Sequence, residues 1–322
     1  MIILYTFALL ASLASAQDAS PTALPTYISL AKNIHDFNRF ADGGADANWY
    51  IGFNNAWIVK LPPAPAGDFS RAFIGAKIGR AKTTPDPERP WVRELIEGKI
   101  YMGISHTPAF SSEQGFFLVE TRDISVEPDD QGTVEGAGPA EWFWAEVPTA
   151  LVSFTQPNYL IIWSPTKYFT SASSAPILAA AAVEEKGDVR AWNNHSISGV
   201  PPRTTGGTLE TPINSIYPAL AIKLVPPNQK DLAIFEYSVQ PYGKKMVVRV
   251  GAAGSSVSEV WIEMSRDQLD WERITRFMRR PPFIFTISQD SLPAGALLRA
   301  SVRDEWGNVE SGSIYEIPYA RR

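Results

Sequence analysis

The chain has 322 residues, 45% of them hydrophobic, with 29 Lys and Arg against 34 Asp and Glu and no Cys. This ordinary folding composition excludes a disordered chain, a collagen-like repeat and a disulfide-stapled mini-protein, and a net charge of −5 disfavours a nucleic-acid partner because the basic footprint that phosphates demand is missing. Without Cys there is no thiol catalysis, no Cys-ligated zinc and no iron–sulfur cluster.

Residues 1–16 form an apolar run ending in Ala14-Ser15-Ala16, the small-x-small pattern cleaved before Gln17. They read as a secretory signal peptide, although no Lys or Arg precedes the run; a buried terminal strand or helix is the alternative. The run is shorter than the ~20 apolar residues of a membrane span, and no later stretch reaches that length. The expected location is therefore secreted, periplasmic or on the cell surface, with no membrane span. Residues 17–25, rich in Pro, Ala and Ser, read as a tether.

From residue 26 onward, runs rich in aromatic and β-branched residues alternate with Pro and Gly: 49–61, 69–78, 99–105, 116–121, 159–164 and 216–225. Such turn-bounded runs predict an all-β sandwich over residues 26–228. Two segments keep a helical reading, 89–98 and the Ala-rich 173–186, and the second alternates well enough to be a buried strand. Val225-Pro226-Pro227 and the polar residues after it mark a boundary, followed by a second, smaller β-sandwich over 229–322. There polar and apolar residues alternate in 246–250 and 298–303, as in half-buried strands.

The stretch Val257-Ser258-Glu259-Val260-Trp261-Ile262-Glu263-Met264, the tip Asp267 to Trp271, the strand Pro282 to Ile287, the turn Ser291 to Gly295 and the run Ser301 to Val309 resemble a bacterial immunoglobulin-like or fibronectin-type module. The resemblance implies a spacer, an adhesive arm or a non-catalytic appendage. Gly307 and Asn308 suit the left-handed turn that closes such modules. The pattern of residues 26–228 is similar to jelly-roll carbohydrate-binding modules of the galactose-binding-like kind, a likeness of architecture that does not fix function.

Asp42, Asp46 and Asn48, in a Gly-containing loop, offer oxygen ligands to calcium, without an EF-hand spacing and short of the roughly six to eight oxygens the ion takes; a solvated surface loop accounts for them equally. No other cofactor is expected. Aromatic faces bind the apolar face of a pyranose while amides and carboxylates take its hydroxyls. The candidates are Trp49, Tyr50 and Trp57 with Asn54 and Asn55, and Trp142 with Trp144, which share one side of a strand. Core packing needs the same spacing. Glu141 and Glu146 have opposite parity, which disfavours a glycosidase pair about 5–10 Å apart. His35, His106 and His195 are scattered, G-x-S-x-G is absent, and residues 75–82 lack the Gly-Lys-Ser/Thr ending of a phosphate loop. No catalytic residue is therefore assigned.

These readings favour a non-catalytic protein binding a polysaccharide or surface glycan. The alternatives are a structural or assembly component with a protein partner, and a carboxylate-dependent glycan-active enzyme.

Overall fold

The computed structural model describes residues 24–40, 49–111, 114–126, 140–182, 190–194, 199–201, 203, 209–212, 216–228, 230–254 and 256–318. The expected signal peptide, residues 17–23 of the tether, His195 and the calcium candidates Asp42, Asp46 and Asn48 lie outside the described residues. No helix among the described residues is long and apolar enough to cross a membrane.

The protein is all-β. In chain order the strands are β1 (Thr26–Ser29), β2 (Arg39–Phe40), β3 (Ala56–Leu61), β4 (Arg71–Gly79), β5 (Thr83–Pro85), β6 (Arg93–Leu95), β7 (Lys99–Ser105) and β8 (Gly115–Glu120). They continue with β9 (Ala140–Val147), β10 (Asn158–Trp163), β11 (Ile177–Ala182), β12 (Arg190–Asn194), β13 (Leu209–Pro212), β14 (Ile216–Pro218) and β15 (Leu220–Val225). After the prolines come β16 (Ala233–Tyr242), β17 (Lys245–Ala253), β18 (Val257–Ser265), β19 (Glu272–Arg273), β20 (Phe283–Ser288), β21 (Leu297–Asp304), β22 (Val309–Ser311) and β23 (Tyr315–Glu316).

Strand pairing divides at residues 226–232. Before it, a seven-stranded sheet runs β1-β15-β4-β11-β14, with β9 on the other edge of β4 and β2 on β11, and a six-stranded sheet runs β13-β12-β3-β10-β7-β8. Alternation aims Ala72, Ile74, Ala76 and Ile78 of β4, Leu220, Ile222 and Leu224 of β15, and Phe143, Ala145 and Val147 of β9 at Val59, Met102, Ile104, Leu160 and Ile162 of the facing sheet, forming one core. After the division, β16-β17-β20 faces β19-β18-β21-β22, with β23 on β21. A separate core there gathers Met246, Val248, Val250, Val260, Ile262, Phe285 and Leu298.

The helical reading of residues 89–98 is corrected, and of the two readings of 173–186 the strand is the one observed, over Ile177–Ala182. Residues 89–98 hold a turn and β6: Asp86 accepts hydrogen bonds from the N–H groups of Glu88 (2.8 Å) and Arg89 (3.0 Å), and this Asx turn folds β6 back onto β5. The Ala-rich segment forms β11, buried on both faces, where alanine leaves room for Phe37 and Tyr217 to pack across it. At the second sandwich's closing turn Gly307 takes φ of 82°, while Asn308 instead donates to the Asp304 carboxylate from both backbone and side chain, at 2.8 Å each.

The two pairs of sheets are bolted together at two places. Arg273 holds Asp123 in a bidentate ion pair at 2.7 Å on both arms, and Arg279 bonds Glu141 while lying over the Phe143 ring. Away from these, Trp306 packs on Phe73 and Val225, and its carbonyl accepts from Arg71 at 2.9 Å. The Lys223 ammonium donates to the Glu305 carbonyl at 3.0 Å.

Candidate functional site

The aromatic candidates part company. Trp49 and Trp57 are 6% and 5% exposed, lie against each other with ring centroids 5.0 Å apart, and belong to the first core. The Trp57 indole N–H and the Asn55 amide both donate to the Tyr50 carbonyl, at 3.1 Å and 3.2 Å. Tyr50 is buried too, and its hydroxyl donates to Asn54, whose amide in turn donates to the Thr170 carbonyl at 3.1 Å. The expected glycan platform on Trp49, Tyr50, Asn55 and Trp57 is thus corrected: packing the inter-sheet space and satisfying the backbone around Tyr50 takes these groups out of the surface. Asn54 is half-buried and spent on the same local network.

Trp142 and Trp144 behave differently. They stand on the outward side of β9, half-buried, with rings 5.0 Å apart and only 15° from parallel. Tyr27 of β1 comes to 5.8 Å from Trp144 across the sheet, and Phe37 abuts Trp142 edge-on at 5.6 Å. Small residues make this arrangement available. Gly75 lies opposite Trp144 in the ladder, and a Cβ there would fall 2.6 Å from the ring carbon Cζ3, so the indole can lie against the sheet only because position 75 has no side chain. Ala221, the neighbour of Gly75 on β15, is similarly low.

Charge rims the aromatic strip. Lys223 places its ammonium 4.8 Å from the Trp144 centroid and 4.5 Å from that of Phe73; burial depresses its pKa to about 8. Lys77 donates to the Phe37 carbonyl at 2.6 Å, and burial lowers its pKa as well. Glu146 accepts two bonds from Arg71, at 2.7 Å and 2.6 Å, which hold its carboxyl below the usual range, yet half of its side chain remains exposed. The Tyr27 hydroxyl is pushed up to about 12 by burial and by the charge of Glu305. The arrangement offers flat apolar faces beside a carboxylate and a phenol, and these suit a sugar ring.

No family model and no curated protein matches the chain. Solved structures that it is similar to include β-glucuronidases. For one from Ruminococcus gnavus, identity is 11%, with 87% of this chain and 37% of that chain covered and a TM-score of 0.20. For one from Lactobacillus rhamnosus the figures are 9%, 87%, 38% and 0.21, and for one from Dictyoglomus thermophilum 8%, 87%, 39% and 0.21. The chain thus spans less than half the length of these proteins, and overlaps with such scores assign neither fold nor activity.

Glu141 and Glu146 project from opposite faces of β9 and are bound by different arginines, Arg279 and Arg71. His35 and His106 are exposed, far apart in sequence and on different elements. Among the described residues no group of three or more His, Asp or Glu is placed to hold a metal ion. The residues of the strip that spacing alone did not select are Tyr27, Gly75 and Lys223. One signal pointed to Lys223, the lone cation at an outward position of the otherwise apolar β15.

Proposed function

We propose that this chain is a secreted or surface-associated glycan-binding protein without catalytic function. On this reading the sheets of residues 26–225 form a jelly-roll-like binding domain, and the sheets of residues 233–316 form an immunoglobulin-like arm. The observation that carries the reading is the near-parallel pair Trp142–Trp144, only partly buried on an outer sheet face with Tyr27 beside it. A packed core consumes both faces of its tryptophans; these two keep surface open next to polar groups able to meet hydroxyls. The pairing of a three-stranded sheet with a five-stranded one in the second sandwich supports the immunoglobulin-like reading.

The test is a glycan array on the full chain, followed by titration calorimetry with the best polysaccharide. Trp144→Ala is expected to weaken binding by about 2 kcal/mol, roughly thirtyfold in Kd. A chain that binds no polysaccharide on the array, or whose affinity ignores Trp142, Trp144 and Tyr27, overturns the reading.

A further inference from the structure

The second sandwich is open along one side. Strand β20 is the edge of the sheet β16-β17-β20 and, among the described residues, pairs only with β17. Across from it, residues 274–278 run along β18, where Ile274 donates to the Ile262 carbonyl at 3.0 Å and Met278 to that of Val260 at 2.8 Å. Between these two edges lies a cleft of about 400 Å³, lined about equally by apolar residues, among them Ile274, Met278 and Phe285, and polar ones, among them Arg276, Thr286 and Ser288. Ile284 is 40% exposed.

The two edges of this sheet are treated differently. The β16 edge carries Pro241 and a bulge between Ile234 and Glu236, both of which blunt strand addition. Strand β20 has no proline, bulge or charge from Phe283 to Ser288, and its outward residues are Ile284, Thr286 and Ser288. An open edge beside a cleft of mixed apolar and polar lining is the form taken by sites that accept an added strand: backbone hydrogen bonds give affinity and the cleft reads alternate side chains.

Charge identifies the occupant. On the opposite sheet Arg273, Arg279, Arg299 and Arg303 are all paired with carboxylates. Around the β20 edge, Lys244, Lys245, Arg249, Arg276 and Arg280 are exposed, and none forms an ion pair among the described residues. Lys245 and Arg249 flank β20 directly, opposite Ser288 and Ile284. Unpaired positive charge collected here, on a chain of net charge −5, marks a surface for a negative partner.

We propose that the β20 edge is a docking site for an extended acidic polypeptide, which adds to the sheet as a further strand and places its apolar side chains in the cleft. The probe is a short fluorescein-labelled peptide of alternating valine and glutamate, titrated against the full chain by fluorescence anisotropy. Expected results are saturable binding, loss of affinity of at least about tenfold in the double variant Arg276→Glu with Arg280→Glu, and slowed hydrogen exchange of the amides from Ile284 to Ser288. Methylating the peptide's alternate backbone nitrogens should abolish binding in one register and spare it in the other, a difference that only strand pairing produces.

The proposal is overturned if a scrambled peptide of the same composition binds equally, if both methylated registers behave alike, or if exchange at residues 284–288 is unchanged. It is equally overturned if heparin displaces the peptide while leaving those amides unprotected, which would make the site a general polyanion surface. Self-association of the chain that the peptide does not compete with would assign the edge to a second copy instead.

Discussion

Replacing Gly75 with alanine drives a methyl group into the Trp144 ring. The new Cβ would meet two ring carbons, one of them at 2.6 Å, and the Phe143 carbonyl oxygen at 2.7 Å, all inside the distance that carbon tolerates. The indole must lift off the sheet by about 1 Å, and overpacking of this kind costs ~1–3 kcal/mol. Lifting also disturbs the stacking with Trp142 and the contact with the Lys223 ammonium, interactions worth roughly 0.5–1.5 and 0.5–2 kcal/mol. Alanine recovers ~0.5 kcal/mol in a strand through its smaller loss of backbone freedom. We expect Gly75→Ala to lower unfolding free energy by about 2 kcal/mol in urea, and to weaken polysaccharide binding as much as Trp144→Ala does. In a Trp144→Ala background the ring contacts are gone while the Phe143 carbonyl stays in the way, so the same substitution should cost about half as much. Equal costs in the two backgrounds would refute the placement of the indole against Gly75.

Three further outcomes follow from the same structure. Asp123→Ala leaves the Arg273 guanidinium without its bidentate partner at a largely buried site, and urea unfolding should show a loss of ~3–5 kcal/mol, partly restored by adding Arg273→Met. Lys223 has a folded-state pKa of about 8 against an ordinary 10.5, so the unfolded chain binds more protons between those values and stability rises with pH across that window; the difference between the wild type and Lys223→Met should change by on the order of 3 kcal/mol from pH 8 to 10.5, and parallel curves would contradict it. Trp57→Ala should cost ~3–5 kcal/mol by emptying core volume, whereas Trp142→Ala should cost less than about half of that in stability and show its effect in glycan titration.

Strand content was legible because alternation and Pro/Gly punctuation are local: β7 occupies the run 99–105, and β20 is shifted by one residue from the strand read at 282–287. The parity of Trp142 and Trp144 was legible for the same reason, as was the separation of Glu141 from Glu146. Exposure was not. Trp49 and Trp57 carry the same kind of spacing as Trp142 and Trp144, and only the facing sheet decides which pair is covered. The rest of the strip depends on pairings between distant residues, Tyr27 with Lys223 and Gly75 with Trp144, which no window of sequence displays. The ion pairs between the sandwiches are hidden likewise, since Asp123 and Arg273 lie 150 residues apart. The reading of residues 89–98 failed through turn chemistry: Asp86, followed by Pro87 and Pro90, sets a hairpin before a helical turn can nucleate.

The paired bolts between the sandwiches alter how the molecule carries load. Tension applied between the outer face of β9 and the edge of β20 has a route that bypasses the chain at residues 226–232: it passes through Asp123 to Arg273 and Glu141 to Arg279, and again from Arg71 to the Trp306 carbonyl and from Lys223 to the Glu305 carbonyl. Contacts at two separated points resist rotation as well as separation. The protein is therefore a bracket and not two beads on a string.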